Sequence, residues 1–277
     1  MNLAEAVEFT FTNRESWANG AGAGTNRINS NHFLRILGEK MEADAVRPMH
    51  FTQIQQKLKE EGKANGTINR VCAALSTVLN ELYLNDLVDR KATYRRLKEK
   101  RGRAGYYTLE EIEHMIACCG VLDPSEQDLM RDSIEFSYKL GNRQGELLEL
   151  MWEHVDLEAQ TVTFVDTKNG EDHTLPIRGE VYDMLKRRYD ERIDDGAVFP
   201  WTDKHMLLRR FRRVQQAAGI DKNRCWHHLR HSTGTHLVSQ GVPLRTVMGV
   251  LNHKNVNTTL RYAKNTEKAI SDALELL

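Results

Sequence analysis

Cysteine is scarce in this chain, and what is present does not fall into pairs. The four residues, Cys72, Cys118, Cys119 and Cys225, include no C-x-x-C spacing. Cys118 and Cys119 close an apolar helical pattern just before Gly120, so buried free thiols are the simplest reading. Cys225 precedes His227, His228 and His231, which raises zinc, but no second ligand pair follows at the usual spacing. Proline is sparse as well, with five residues and no low-complexity tract, which argues against long disorder. No run approaches the ~18 consecutive apolar residues that a membrane span needs. The first residues, Met-Asn-Leu-Ala-Glu-Ala-Val-Glu, are acidic where a secretory signal is basic. A cytoplasmic location with no membrane partner is the expectation. Net charge is lacking too, since 39 Lys and Arg balance 39 Asp and Glu.

That neutral total conceals a segregated charge. Between Asp86 and Arg103 lie eight basic residues, Arg90, Lys91, Arg95, Arg96, Lys98, Lys100, Arg101 and Arg103, against three acids. A second basic cluster is Arg209, Arg210, Arg212 and Arg213, while acids gather at Glu110, Glu111, Glu113 and at Asp190, Glu191, Asp194, Asp195. Distribution governs polyanion binding more than the sum does, so a basic DNA face is compatible with zero net charge.

With 277 residues the chain has room for one large or two ordinary domains. Residues 1–89 read as an all-helical domain. Apolar residues recur at helical spacing over 25–38, 51–61 and 67–87, the last with Ile68, Val71, Leu75, Val78, Leu79 and Leu82 on one stripe. Asn69 and Arg70, near the start of that helix, are candidates to face DNA. Residues 90–105 carry the basic run without an apolar period and read as an interdomain linker, of the right sign to strap a phosphate backbone.

A second domain, 106–277, opens at a capping box, Thr108 with Glu111 three residues on. Helices are expected over 125–140, closed by Gly141, and over 143–152. The period then changes. Thr161 to Val165 alternates, Lys168-Asn169-Gly170 signals a turn, and His173 to Ile177 returns, which predicts a β-hairpin. Further helices are expected near 180–193, 203–218, 228–240, 243–251 and 256–264. Residues 266–277 carry Ala269, Ile270, Ala273, Leu274 and Leu277 on one face, an apolar tail that must be buried somewhere. The fold class is therefore mainly α with a small β-sheet.

Three separated segments contain residues suited to one chemistry. They are Gly141 to Leu147, His227 to His231, and Leu251 to Tyr262. In-line substitution at a phosphodiester builds charge on the non-bridging oxygens, and arginine matches those oxygens with a planar fork that never deprotonates. Arg143 and Arg230 supply two such forks. Histidines donate further bonds or move protons near neutral pH. Tyrosine is a covalent nucleophile that stores the bond as a phosphotyrosine. Lys168 at the hairpin tip is placed to protonate a leaving sugar oxygen. His231 and His236 read as structural.

The ordered set resembles the tyrosine recombinases of the phage integrase family. Gly141, Arg143, Glu146 and Leu147 match its G-x-R-x-x-E-L box, and Lys168 its hairpin lysine. His227, Leu229, Arg230 and His231 match H-x-L-R-H, and Leu251, His253 and Tyr262 match L-G-H with a tyrosine nine residues later. The resemblance implies an N-terminal helical core-binding domain and a C-terminal catalytic domain. It implies that Tyr262 attacks the scissile phosphate, that Arg143 and Arg230 hold it, and that Lys168 is the general acid. His227 would act as base or acid, His253 would bond the phosphate, and Glu146 would orient a catalytic side chain. It further implies no metal and no nucleotide cofactor, double-stranded recombination sites as partner, and a homo-tetramer on DNA. The tail helix would pack in cis or on a neighbouring protomer. Strand exchange is the leading function. Relaxation of a single duplex, as by a type IB topoisomerase, and a catalytically silent regulator are the alternatives. The chain departs from the family at Asn142, at Asn252 in place of glycine, and at Thr233 where an aromatic is common.

Overall fold

The computed structural model describes residues 1–20, 22–99, 105–165, 167, 170–221 and 223–262. Contacts divide the chain into two compact units, Met1–Gly102 and Arg103–Leu277.

The first unit is helical. It contains α1 (Leu3–Asn13), α2 (Glu15–Ala18), α3 (Ala23–Leu37), α4 (Pro48–Glu60) and α5 (Asn65–Leu84). A capping box between Asn2 and Glu5 starts α1, and proline opens α4, where a missing N–H costs nothing. The stripe read from α5 is the centre of the core. Ile68, Val71, Leu75, Val78 and Leu82 are wholly buried against Leu3, Val7, Phe33, Phe51, Ile54 and Leu58.

The basic stretch from residue 90 is not a free linker up to residue 99. It lies extended along α4 and α5, held by side-chain amides. Asn80 Oδ1 accepts from the backbone N–H of Ala92 (3.0 Å), and Gln55 Nε2 donates to Arg95 O (2.8 Å). Asn69 takes both backbone groups of Leu97 at 2.9 Å, and Asn65 Nδ2 donates to Lys98 O (2.7 Å). The Tyr94 ring stacks on Phe51 with centroids 4.9 Å apart. Asn69 is thus buried rather than facing a partner, because the extended strand needs its amide. Arg90, Lys91, Arg95, Arg96 and Lys98 are left exposed, as is Arg70. Lys100, Arg101 and Arg103 lie outside the described residues.

The second unit begins with α6 (Leu109–Ala117), capped by Thr108 and Glu111 as expected, then α7 (Pro124–Leu140) and the short α8 (Gln144–Leu148). The chain leaves α8 before residue 152, earlier than expected. Leu150 O accepts from Val198 N (2.9 Å) and Gly196 O from Trp152 N (3.0 Å), so sheet-like pairing replaces further helix. Strands β1 (Val155–Asp156), β2 (Thr161–Phe164) and β3 (His173–Pro176) form an antiparallel sheet in that order. The register pairs Val162 with Leu175 and Phe164 with His173, which sets the alternating apolar side chains on the core.

Helices α9 (Glu180–Asp190), α10 (Lys204–Ala217), α11 (His227–Ser239), α12 (Leu244–Val250) and α13 (Val256–Thr259) complete the described chain. Phe136, Phe199, Phe211, Trp226 and Leu229 lie in the core that α7 and α11 cross. The helix expected over 256–264 is a single turn. Asn257, Thr258 and Thr259 are weak helix formers, and Tyr262 N closes back on Thr259 O (2.9 Å). The apolar tail, 266–277, lies outside the described residues. No helix among them is long and apolar enough to cross a membrane.

Candidate active site

The site is assembled from three helix junctions. α7 ends at Gly141, whose φ of 63° is the left-handed value that favours glycine. That reversal presents Arg143 at the start of α8. Glu146 then holds Arg143 twice. One carboxylate oxygen accepts from the backbone N–H and the other from Nη1, both at 2.6 Å. The guanidinium is thereby oriented before any ligand arrives.

Arg230, on the first turns of α11, is nearly inaccessible. Its Nη1 donates to Gly141 O (2.6 Å) and its Nη2 to Leu251 O. Arg143 Nη2 reaches Asn252 O (3.4 Å). The two arginines therefore brace the Gly141 turn and the Leu251 turn against each other. Asn252 occupies the left-handed region, φ 45°, which short polar side chains tolerate.

The third junction holds the ring systems. His253 Nδ1 is bonded to Thr259 Oγ1 (2.9 Å), and the His253 ring lies nearly parallel to Tyr262, with centroids 6.3 Å apart. Tyr262 itself is 7% exposed and rests on α11. Its hydroxyl lies 2.8 Å from His231 Nδ1. Its ring lies on Gly234, where an added Cβ would fall 2.7 Å from Tyr262 Cε2. His227 meets His231 edge-on, one helical turn away, at 4.7 Å between centroids. Two arginines, three histidines and one tyrosine thus converge from α8, α11 and the segment after α12.

The chain is similar to known proteins in both sequence and fold. The model of the phage integrase family matches residues 106–269 of this chain. The chain is 28% identical to the tyrosine recombinase XerA of Pyrococcus furiosus over 271 residues, covering 92% of this chain and 88% of that protein. It is 30% identical to the integrase of Escherichia phage P2 over 223 residues, covering 79% of this chain and 61% of that one. The chain belongs to the phage integrase family. It is a tyrosine recombinase, an enzyme of site-specific DNA strand breakage and rejoining. Its fold also matches the Tn1549 transposon integrase in complex with circular intermediate DNA, with TM-score 0.78, 18% identity and 99% of both chains covered.

The electrostatics of the recombinase site follow first from burial and second from packing cations together. Burial first, and the neighbouring Arg143 second, lower the pKa of Arg230 to about 10, which leaves it charged at neutral pH. Burial also lowers His253 to about 4, with Arg230 and Arg143 adding to the effect. His227 is open to solvent on one side, yet desolvation of the rest of its ring and the charge of Arg230 push it down to about 4. His231 falls to about 3 through burial and the proximity of His227, His228, Arg261 and Arg230. Burial raises the Tyr262 phenol, while Arg230 and Arg261 oppose the rise. In this state the imidazoles are neutral and the tyrosine is protonated.

Several positions carry more than the sequence suggested. His231, read there as structural, touches the Tyr262 hydroxyl. Thr259 sets the orientation of His253, and Gly234 makes room for the Tyr262 ring. His231 belongs to the H-x-L-R-H box, but no local pattern shows that it and Gly234 meet Tyr262, and none marks Thr259, six residues from His253. His236 does hold structure, with Nδ1 2.9 Å from the Tyr138 hydroxyl. Lys168 lies outside the described residues, but its neighbour Thr167 accepts a hydrogen bond from Asn252 Nδ2 (3.2 Å). Of the α10 arginines, Arg210 pairs with Glu126 (2.6 Å), Arg212 donates to Gln215 Oε1 (3.1 Å), and Arg213 donates to Val121 O (2.8 Å). Arg209 is exposed. Cys225 Sγ is 3.3 Å from His228 Nδ1, and the described residues contain no group of three or more His, Cys, Asp or Glu arranged to hold a metal ion.

Proposed function

We propose that this recombinase cleaves DNA by attack of Tyr262 on a phosphodiester, leaving a 3′-phosphotyrosine and a free 5′-hydroxyl, in the service of DNA integration or excision. The observation that carries the reading is the cross-bracing of Arg143 and Arg230 through Gly141 O, Leu251 O and Asn252 O, beside a buried Tyr262. Both guanidiniums hold the non-bridging oxygens as charge develops on them. They are fixed beforehand, so little reorganisation accompanies the reaction. His253, its Nδ1 committed to Thr259, offers Nε2 to the phosphate. His227, on the open side, bonds the phosphate or moves a proton. Lys168 protonates the leaving 5′-oxygen. Because the phosphotyrosine conserves the bond energy, the scheme calls for no nucleotide cofactor.

The partner is a double-stranded recombination site. The first unit serves as a core-binding domain, and its exposed Arg90, Lys91, Arg95, Arg96 and Lys98 supply phosphate contacts along an already ordered strand. Arg70 and Arg209 are further contacts. Four protomers act on two sites, with the tail, 266–277, packed on a neighbour, in the cytoplasm or nucleoid of the host. The test uses a pool of nicked duplexes with randomised cores. The wild-type chain should trap a covalent adduct with a subset of sequences, and Tyr262→Phe should bind them without an adduct. An adduct in Tyr262→Phe would overturn the assignment.

A further inference from the structure

Tyr262 occupies a seat built on one face of α11. Gly234 is the floor, since any side chain there would meet the Tyr262 ring at under 3 Å. His231, three residues earlier and so on the same face, meets the hydroxyl at 2.8 Å. The other imidazoles are engaged differently. His253 faces the Tyr262 ring and has Nδ1 on Thr259, while His227 packs edge-on against His231.

Resting on the reading of Tyr262 as nucleophile, we infer that His231 is its proton acceptor, taking the hydroxyl hydrogen on Nδ1 as the phenol oxygen attacks phosphorus. A neutral imidazole has one lone pair and one N–H. With the lone pair on Nδ1 and the hydrogen on Nε2, the bond runs from Tyr262 Oη–H to His231. The bond between Oη and phosphorus forms, the bond from phosphorus to the 5′-oxygen breaks, and the phenol proton ends on His231 Nδ1. The departing 5′-oxygen takes a proton from the general acid, assigned above to Lys168. Rejoining runs this in reverse, and His231 returns its proton to the tyrosine.

The surroundings of the pair are consistent with that order of events. His227 and His228 lie on the same helix as His231, with Arg230 beside them and Arg261 on the segment that carries Tyr262. In the free enzyme burial first, and these neighbours second, keep His231 neutral and the lone pair available. A bound phosphate offsets Arg143 and Arg230 and adds negative charge, so an imidazolium becomes favourable only when substrate is in place.

The decisive experiment measures single-turnover adduct formation on the nicked duplexes selected above, from about pH 6 to 9. His231→Asn keeps a hydrogen-bonding group near the position of Nδ1 but accepts no proton in that range. The expected loss is roughly 10²–10⁴-fold at neutral pH with DNA binding retained. The residual rate should climb with pH as hydroxide replaces the base. A duplex with sulfur at the 5′ leaving position needs no general acid, and it should not rescue the variant. Should His231→Asn lose its melting transition, His231→Ala is assayed with added imidazole, which should restore cleavage in proportion to its neutral form. A wild-type rate, a loss independent of pH, rescue by sulfur, or failure of imidazole rescue in a DNA-binding variant would each overturn the inference. An adduct in Tyr262→Phe would instead remove the nucleophile assignment on which it rests.

Discussion

Adding one methyl group at Gly234 should disable the tyrosine without unfolding the protein. A Cβ built there falls 2.7 Å from Tyr262 Cε2 and 2.9 Å from Cδ2 and Cζ. Carbons in contact prefer about 3.5–4.0 Å, so the ring must move by about 1 Å. Gly234 lies inside α11, and its backbone there is ordinary helix. Glycine to alanine in a helix interior normally gains about 0.5–1 kcal/mol. The two effects oppose each other in stability, since displacing a buried aromatic loses part of its burial while the helix itself is favoured. In activity they do not. A shift of about 1 Å in a reacting atom costs on the order of 10²-fold, and here it also breaks the bond to His231. Gly234→Ala should therefore bind DNA normally, unfold cooperatively, and form the covalent adduct on the order of 10²-fold more slowly. Single-turnover adduct formation and calorimetry on the same preparation read both quantities. Cleavage at the wild-type rate would refute the seat. Collapse of the melting transition would refute the claim that the collision is confined to the tyrosine.

Four further outcomes follow from the same geometry. Arg230→Lys replaces a fork that bridges Gly141 O and Leu251 O with a point charge, and cleavage should fall roughly 10²–10³-fold in the adduct assay. Gly141→Ala meets Leu251 Cδ2 at 2.6 Å on a backbone with φ of 63°, so urea denaturation should show a loss of about 1–3 kcal/mol. Asn69→Ala strips both backbone partners from Leu97, and each unmet group costs about 1–3 kcal/mol. Limited trypsin digestion should then cut at Arg95, Arg96 or Lys98 well before wild type. Finally, His227, His231 and His253 titrate at about 4, 3 and 4 in the fold against 6.5 for a free imidazole. Between those values the unfolded chain binds more protons, so this contribution to stability is complete above about pH 6.5 and is lost as pH falls toward 4. Melting temperature measured across that interval should decline, and a flat profile would contradict the neutral imidazoles.

What could be read from the sequence was what local spacing encodes. The apolar stripe of α5, the Thr108–Glu111 cap, the strands β2 and β3 and the stop at Gly141 all depend on residues within a few positions of one another. The order of the arginine, histidine and tyrosine boxes was legible for a related reason, since reactive residue types are few and their clustering is distinctive. What remained for the tertiary structure was every feature made by distant partners. Asn69 looked like a surface residue until Leu97, 28 positions on, was laid across it. The basic stretch read as a linker because nothing nearby in sequence reveals the amides that hold it. Arg210, Arg212 and Arg213 formed a cationic cluster in one dimension, and in three they bond Glu126, Gln215 and Val121. His231 read as structural because its partner, Tyr262, lies 31 residues away on another element. A helix period states which way a side chain points, but not what waits there. For this recombinase the sequence supplied the arginines, histidines and tyrosine that the site brings together. The fold decided how Arg230 joins two turns, and which histidine stands against the tyrosine, because only packing brings those atoms within hydrogen-bond reach.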